Sequence, residues 1–230
     1  MPATRRPVQT ELALRTWGGC RENAGRKRRS TRPGVPHSRR EALPRNAAVH
    51  VTMRAVDGLP RLRCHRGWQA LRKAVRGVLG REGFRVCELS LMTNHVHLIV
   101  EADDRVALSG GMNALGTSLA RRLNRVLGRR GRLFAGRYHA RVLRTPLEMK
   151  RALAYVLNNA RKHAAQVGRR LASGWLDPFS SARAFTGWRG VGPRSGSDAP
   201  WLATAGTWLL RVGWRRHGLL DVDAIPGPSG

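Results

Sequence analysis

Cysteine, tyrosine and acidic residues are all scarce in this chain of 230 residues, and each shortage excludes something. The three cysteines, Cys20, Cys64 and Cys87, lie far apart with no C-x-x-C pair, which argues against a zinc knuckle and a disulfide framework and makes a reducing cytoplasm the default compartment. Neither a G-x-S-x-G elbow nor a G-x-x-x-x-G-K-[ST] loop occurs, so serine-hydrolase and P-loop chemistry find no support. No apolar run approaches the roughly 20 residues that cross a bilayer, and the Arg-bearing N-terminus lacks a continuous apolar signal segment, so no membrane partner is expected.

What is abundant is positive charge. Against 14 Asp and Glu stand 43 Lys and Arg, a formal net charge of +29, and nearly all the basic residues are Arg. Such a surface repels itself until a polyanion neutralises it, and nucleic-acid phosphate is the usual one. Residues 1–46, with A-G-R-K-R-R-S-T-R-P-G-V-P at their centre, have too few apolar residues to fold alone and read as a basic disordered arm.

Order is expected from Ala47. In A-A-V-H-V-T-M-R-A-V, alternation sets Val49, Val51, Met53 and Ala55 on one face and His50, Thr52 and Arg54 on the other, the pattern of a half-buried strand. Trp68, Leu71, Val75, Val78 and Leu79 recur at helical spacing. A strand over about 85–92 and another through L-I-V, Leu98 to Val100, follow. Met112, Leu115, Leu119, Leu123, Val126 and Leu127 mark a second helix whose far side shows Arg121, Arg122 and Arg125. A short strand over 138–143 precedes a helix signalled by Thr145, Pro146 and Glu148, a capping box with proline at the first helical position. This order predicts an α+β fold, the ferredoxin-like split β-α-β sheet with one helix added at its end. Three parts are expected: the arm, a domain over 47–165 and a partly helical C-terminal extension over 166–230 that either docks on the core or holds DNA.

Two places carry chemistry. In L-M-T-N-H-V-H-L-I-V, residues two apart on a strand share a face, so His95 and His97 point one way while Val96, Leu98 and Val100 fill a core on the other. Two neutral imidazoles so placed can grip one divalent ion, although an H-x-H pair arises readily by chance in a chain with 8 His. On the helix over 146–164, Met149, Leu153, Val156, Leu157, Ala160 and Ala164 form an apolar stripe. Tyr155 is expected opposite that stripe, at the centre of a polar face with Glu148, Arg151, Asn158, Asn159 and Lys162. Asn159 and Lys162 stand one and two turns beyond it, a face suited to phosphate. The only other tyrosine, Tyr138, follows Arg137 in F-A-G-R-Y-H-A-R and reads as a sheet residue packing or touching a nucleic-acid backbone. Asp103 and Asp104, after the histidine strand, read as a turn.

These motifs carry a resemblance. H-V-H-L-I-V resembles the HUH motif (His, bulky apolar, His) of single-tyrosine transposases. M-T-N-H-V-H, F-A-G-R-Y-H-A-R and A-Y-V-L-N-N-A-R-K-H occur in the order and spacing of the REP-associated tyrosine transposases, over about residues 47–165, with a looser echo in D-P-F-S-S-A, 177–182. Thr93 and Ala160 stand where members often have proline, and Ala160 would let the helix continue. The resemblance implies the HUH endonuclease fold and a nickase and ligase acting on hairpin-bearing single-stranded DNA through a 5′-phosphotyrosine. Tyr155 would be the nucleophile, and His95, His97 and Asn159 would hold Mg²⁺ or Mn²⁺. Arg54, Arg121, Arg125, Arg137, Tyr138, Arg151 and Lys162 are the expected DNA-contacting residues. A monomer or homodimer in a bacterial cytoplasm, associated with the nucleoid, is expected. The alternative is a non-catalytic nucleic-acid-binding protein of the same fold.

Overall fold

The computed structural model describes residues 42–190 and 200–227, all within one unit of the chain, residues 34–230. The expected basic arm lies, except for its last few residues, outside the described residues.

The chain forms β1 (Ala47–Arg54), α1 (His65–Arg76), β2 (Phe84–Leu91), β3 (His95–Ala102), α2 (Arg105–Val126), β4 (His139–Leu143), α3 (Pro146–Leu157), α4 (Asn159–Gln166) and a short α5 (Trp208–Arg211). The strands make one antiparallel sheet in the order β2-β3-β1-β4. This is the expected ferredoxin-like α+β arrangement with an added helix.

One face of the sheet is apolar throughout. Val49, Val51 and Met53 of β1 and Val96, Leu98 and Val100 of β3 pack with Leu71 and Val75 of α1 and with Met112, Leu115, Leu119 and Leu123 of α2. The adjacent acids, read as a turn, form the bend between β3 and α2, and Asp104 also caps the helix, its carboxylate accepting from the Ala107 amide at 2.7 Å.

The other face departs from expectation. β1 was expected to be half-buried, yet its only exposed side chain is Arg54, and His50 is 7% exposed. On β3, His97, Ile99 and Glu101 are buried as completely as the core face. The cause is a second apolar layer that covers Ala48, Ile99 and Leu143: Met149, Leu153 and Val156 of α3, backed by Trp188, Leu210, Trp214 and Leu220 of the C-terminal segment. A bulge in β2 sets Cys87 and Glu88 against the single residue Ile99 and turns Cys87 into this layer.

Residues 166–227, where described, dock on the core by specific polar contacts. Asp177 takes both guanidinium nitrogens of Arg63 at 2.9 and 2.7 Å. Ser181 Oγ accepts from the Leu89 amide, and the Phe179 carbonyl accepts from the Leu91 amide, so D-P-F-S-S-A is stitched to β2. Glu101, fully buried on β3, pairs with Arg85 and accepts from the backbone amides of Gly206 and Thr207 and the Thr207 hydroxyl. Trp201 packs edge-on against Trp68.

The helix read as continuous over 146–164 is instead broken at Asn158. The capping box of Thr145 and Glu148 starts α3 as expected. At the break, the Asn158 amide donates to the carbonyls of Asp221 and Ala224, and Arg161 donates to the carbonyls of Leu171, Ala172 and Trp175 and pairs with Asp223. These tertiary contacts hold the residues on either side of the break against the C-terminal segment. Asn158 and Asn159, expected on the polar face, are buried, whereas Ala160 and Ala164, expected in the apolar stripe, are half-buried.

Candidate active site

The second sheet face and the α3–α4 junction bring four histidines and one tyrosine together. His95 opens β3 and His97 follows on the same face. Antiparallel pairing sets Arg54 opposite His95 and Thr52 opposite His97. The His95 and His97 rings lie 4.6 Å apart, centre to centre, and nearly perpendicular. From α3, the Tyr155 ring stands edge-on to His97 at 5.1 Å and to His50 at 5.8 Å. From α4, Lys162 Nζ lies 4.7 Å from the centre of the Tyr155 ring, a cation–π placement, and donates to the Gly227 carbonyl. His163 approaches His95 at 6.0 Å.

Burial keeps the imidazoles of His95, His97 and His50 neutral. His95 is lowered to about 4, first by burial and then by His163 and Arg54. His97 is lowered to about 2, first by burial and then by the surrounding His95, His50, His163 and Lys162. His50 falls to about 4, again mainly by burial, with His139 and Arg141 adding to it. A neutral imidazole is the form that offers a lone pair to a cation.

The polar atoms here are incompletely paired. His97 Nε2 and both amide atoms of Asn159 are buried without a hydrogen-bond partner, as is the hydroxyl of Ser90, which lies opposite His97 in the β2–β3 register. Buried polar groups are rarely left so, and each such atom calls for a ligand, a water or an ion. Two imidazole nitrogens and an amide oxygen suit a divalent cation that also accepts oxygen from a substrate or water. Among the described residues no three His, Cys, Asp or Glu side chains form a metal-holding group, so these donors would need oxygens from elsewhere.

Of the residues expected to act, His95, His97 and Tyr155 meet, with Lys162 over the tyrosine and Asn159 buried one turn beyond it. Arg54 is exposed beside His95 and pairs with Asp57 at 3.2 Å. Arg151 is exposed on α3 and Arg137 just before β4, while Tyr138 is half-buried against the apolar core. Arg121 and Arg125 are not brought to the site: they line a shallow trough with Asn113, Thr117, Ser118 and Arg122 on α2, which packs on the other face of the sheet. His50, Thr52 and His163 were not singled out from the sequence. Alternation did place His50 and Thr52 on the polar face of β1, but which residue of β3 they meet depends on register.

Residues 48–159, just under half of the chain, match the profile of the family described as "Transposase IS200 like". The structure is similar to that of a REP-associated tyrosine transposase bound to a REP hairpin, with a TM-score of 0.49 and 17% identity over 64% of this chain and 82% of that one. It is also similar to a candidate transposase of Deinococcus radiodurans R1, with a TM-score of 0.37 and 15% identity over 61% of this chain and 100% of that one. No curated protein sequence matches the chain. Among the described residues no helix is long and apolar enough to cross a membrane.

Proposed function

We propose that this protein nicks and rejoins single-stranded, hairpin-bearing DNA through a covalent bond to Tyr155. The observation that carries this reading is the placement of the Tyr155 ring against His97, whose outward nitrogen is buried and unpartnered. His95, His97 and Asn159 would hold Mg²⁺ or Mn²⁺, which when bound polarises a phosphate oxygen and offsets transition-state charge.

The protein's own groups do the rest. Tyr155 loses its phenolic proton to solvent and its oxygen attacks phosphorus. The new bond joins Tyr155 to the 5′-phosphate, the bond from phosphorus to the 3′-oxygen breaks, and the released 3′-oxygen takes up a proton. Lys162, beside the ring, stabilises the developing phenolate. The reverse reaction with another 3′-hydroxyl restores a phosphodiester, and the stored bond makes ATP unnecessary. The meeting of the histidines and Tyr155 within one chain supports a nucleophile acting at its own subunit's site. Arg54, Arg137 and Arg151, exposed on or next to the elements that build the site, contact DNA phosphates, as do Arg121 and Arg125 on α2, with Tyr138 packing beneath.

The test is incubation with end-labelled hairpin single strands and Mn²⁺, followed by a denaturing gel. A labelled band at the mass of protein plus DNA, absent in EDTA and in Tyr155→Phe, is the expected result. Mixing Tyr155→Phe with His97→Ala protein should yield no adduct. An adduct from Tyr155→Phe alone would move the nucleophile elsewhere, and one from the mixture alone would show that the tyrosine acts on a partner's site.

A further inference from the structure

Two residues that this chemistry leaves unused converge on one atom. His50 Nε2 lies 3.2 Å and Thr52 Oγ1 lies 3.1 Å from His97 Nδ1. Both come from β1, where the antiparallel register sets Thr52 directly opposite His97 and His50 two residues away on the same face. His50 is itself buried, its ring 5.3 Å from that of His97. On the far side of the His97 ring, Nε2 is buried and faces no partner.

A neutral imidazole carries one N–H, and the hydrogen bond made at one nitrogen decides whether the other keeps its lone pair. We propose that His50 and Thr52 are positioning residues that hold His97 in the Nδ1–H tautomer, leaving the Nε2 lone pair bare for a divalent cation. The proposal rests on the reading of His97 as a metal ligand. The Nδ1–H donates to the two acceptors together, which their near-equal distances allow. For this His50 carries its own proton on Nδ1 and presents an unprotonated Nε2, and Thr52 presents a hydroxyl lone pair. The opposite tautomer would bury an N–H at Nε2 with nothing to receive it. Partners of this kind ordinarily fix both the tautomer and the orientation of a ligating ring. Two neutral acceptors do so without adding negative charge where a phosphate must approach.

Long-range ¹⁵N–¹H correlation spectra of the metal-free protein at neutral pH read the tautomer directly. His97 protonated at Nδ1 alone is expected; protonation at Nε2 overturns the proposal. Binding of Mn²⁺, followed by the electron paramagnetic resonance of the free ion, supplies the second readout. The His50→Leu, Thr52→Val double variant should bind Mn²⁺ about 10- to 100-fold more weakly. His50→Gln, which returns an acceptor near the lost Nε2, and Thr52→Ser should keep wild-type affinity. Unchanged affinity in a folded double variant overturns the proposal. If that variant does not fold, Thr52→Val alone, which replaces the hydroxyl by a methyl of similar size, must weaken binding or the proposal falls. Wild-type protein that shows no Mn²⁺ binding removable by His97→Ala would defeat the metal reading itself, and the tautomer spectrum would still decide the role of His50 and Thr52.

Discussion

The two faces of the sheet are buried to a similar degree but are built from different material. Toward α1 and α2, β1 and β3 present Val49, Val51, Met53, Val96, Leu98 and Val100, and the layer is apolar. Toward α3 they present His50, Thr52, His97 and Glu101 alongside the apolar Ala48 and Ile99, and the α3–α4 junction adds Asn158 and Asn159. On that face Glu101 and Asn158 are fully engaged in tethering the C-terminal segment, whereas His97 Nε2 and the Asn159 amide are not engaged at all. The contrast separates polar groups that hold the fold together from polar groups held ready for something else. Natural structures tolerate the second kind where function requires it.

The comparison can be broken most completely at Tyr155. Tyr155→Phe removes one oxygen from a half-buried ring whose edge contacts remain, so covalent DNA capture should vanish on a denaturing gel while the melting temperature stays at the wild-type value. The two faces should next respond in opposite ways to substitution. Leu98→Ala, on the apolar face, should cost about 2–5 kcal/mol of stability in urea melts through the cavity it leaves. Asn159→Leu replaces an unpartnered buried amide with an apolar side chain of similar size. It should leave stability unchanged or raise it while abolishing Mn²⁺-dependent cleavage. A large loss of stability there would mean that the amide has a structural partner.

Acidity sharpens the difference further. His50 and His95 are held near 4 and His97 near 2 by burial, whereas an unperturbed His ionises near 6.5. In metal-free buffer the unfolded chain therefore takes up protons that the folded chain refuses, and stability should fall as pH drops from about 6.5 toward 4. Glu88 acts in the opposite sense. Burial raises it to about 8, opposed by the hydrogen bond from Ser181. Its contribution is complete below about 4.5 and is lost as pH rises through 8. Urea melts across this range should show the acid-side loss in the wild type, and Glu88→Gln should remove the decline between about 6.5 and 8. The smallest effect belongs to the arginines of α2. Arg121→Ala with Arg125→Ala should flatten the slope of log affinity against log salt by about 1 per lost phosphate contact, with matched and scrambled single strands affected equally and the nick unmoved.

Much of the fold was legible because its signals are local. The alternation of β1, the capping box at Thr145, the turn at Asp103 and Asp104, and the periodicity of α2 each depend on neighbours in sequence. The same holds for the pairing of His95 and His97 on one face. The break at Asn158 was not legible, because it is made by carbonyls of residues 221 and 224, more than sixty positions away. Nor was the burial of Asn159, which follows from that break and from the C-terminal layer. D-P-F-S-S-A was visible as a motif, but its work, clasping Arg63 and the end of β2, needed both partners in place.

The sequence by itself determined the element order, the apolar face of the sheet, and the presence of a histidine pair and a helix tyrosine with a lysine two turns on, since strand and helix periods dictate which side chains share a face. Only the tertiary structure decided that Tyr155 stands against His97 rather than in solvent, that His50 and Thr52 grip the same histidine, and that Arg121 and Arg125 lie across the sheet from them. Those relations depend on strand register and on which layer covers which face. They are set by contacts between residues distant in the chain, which no local pattern encodes.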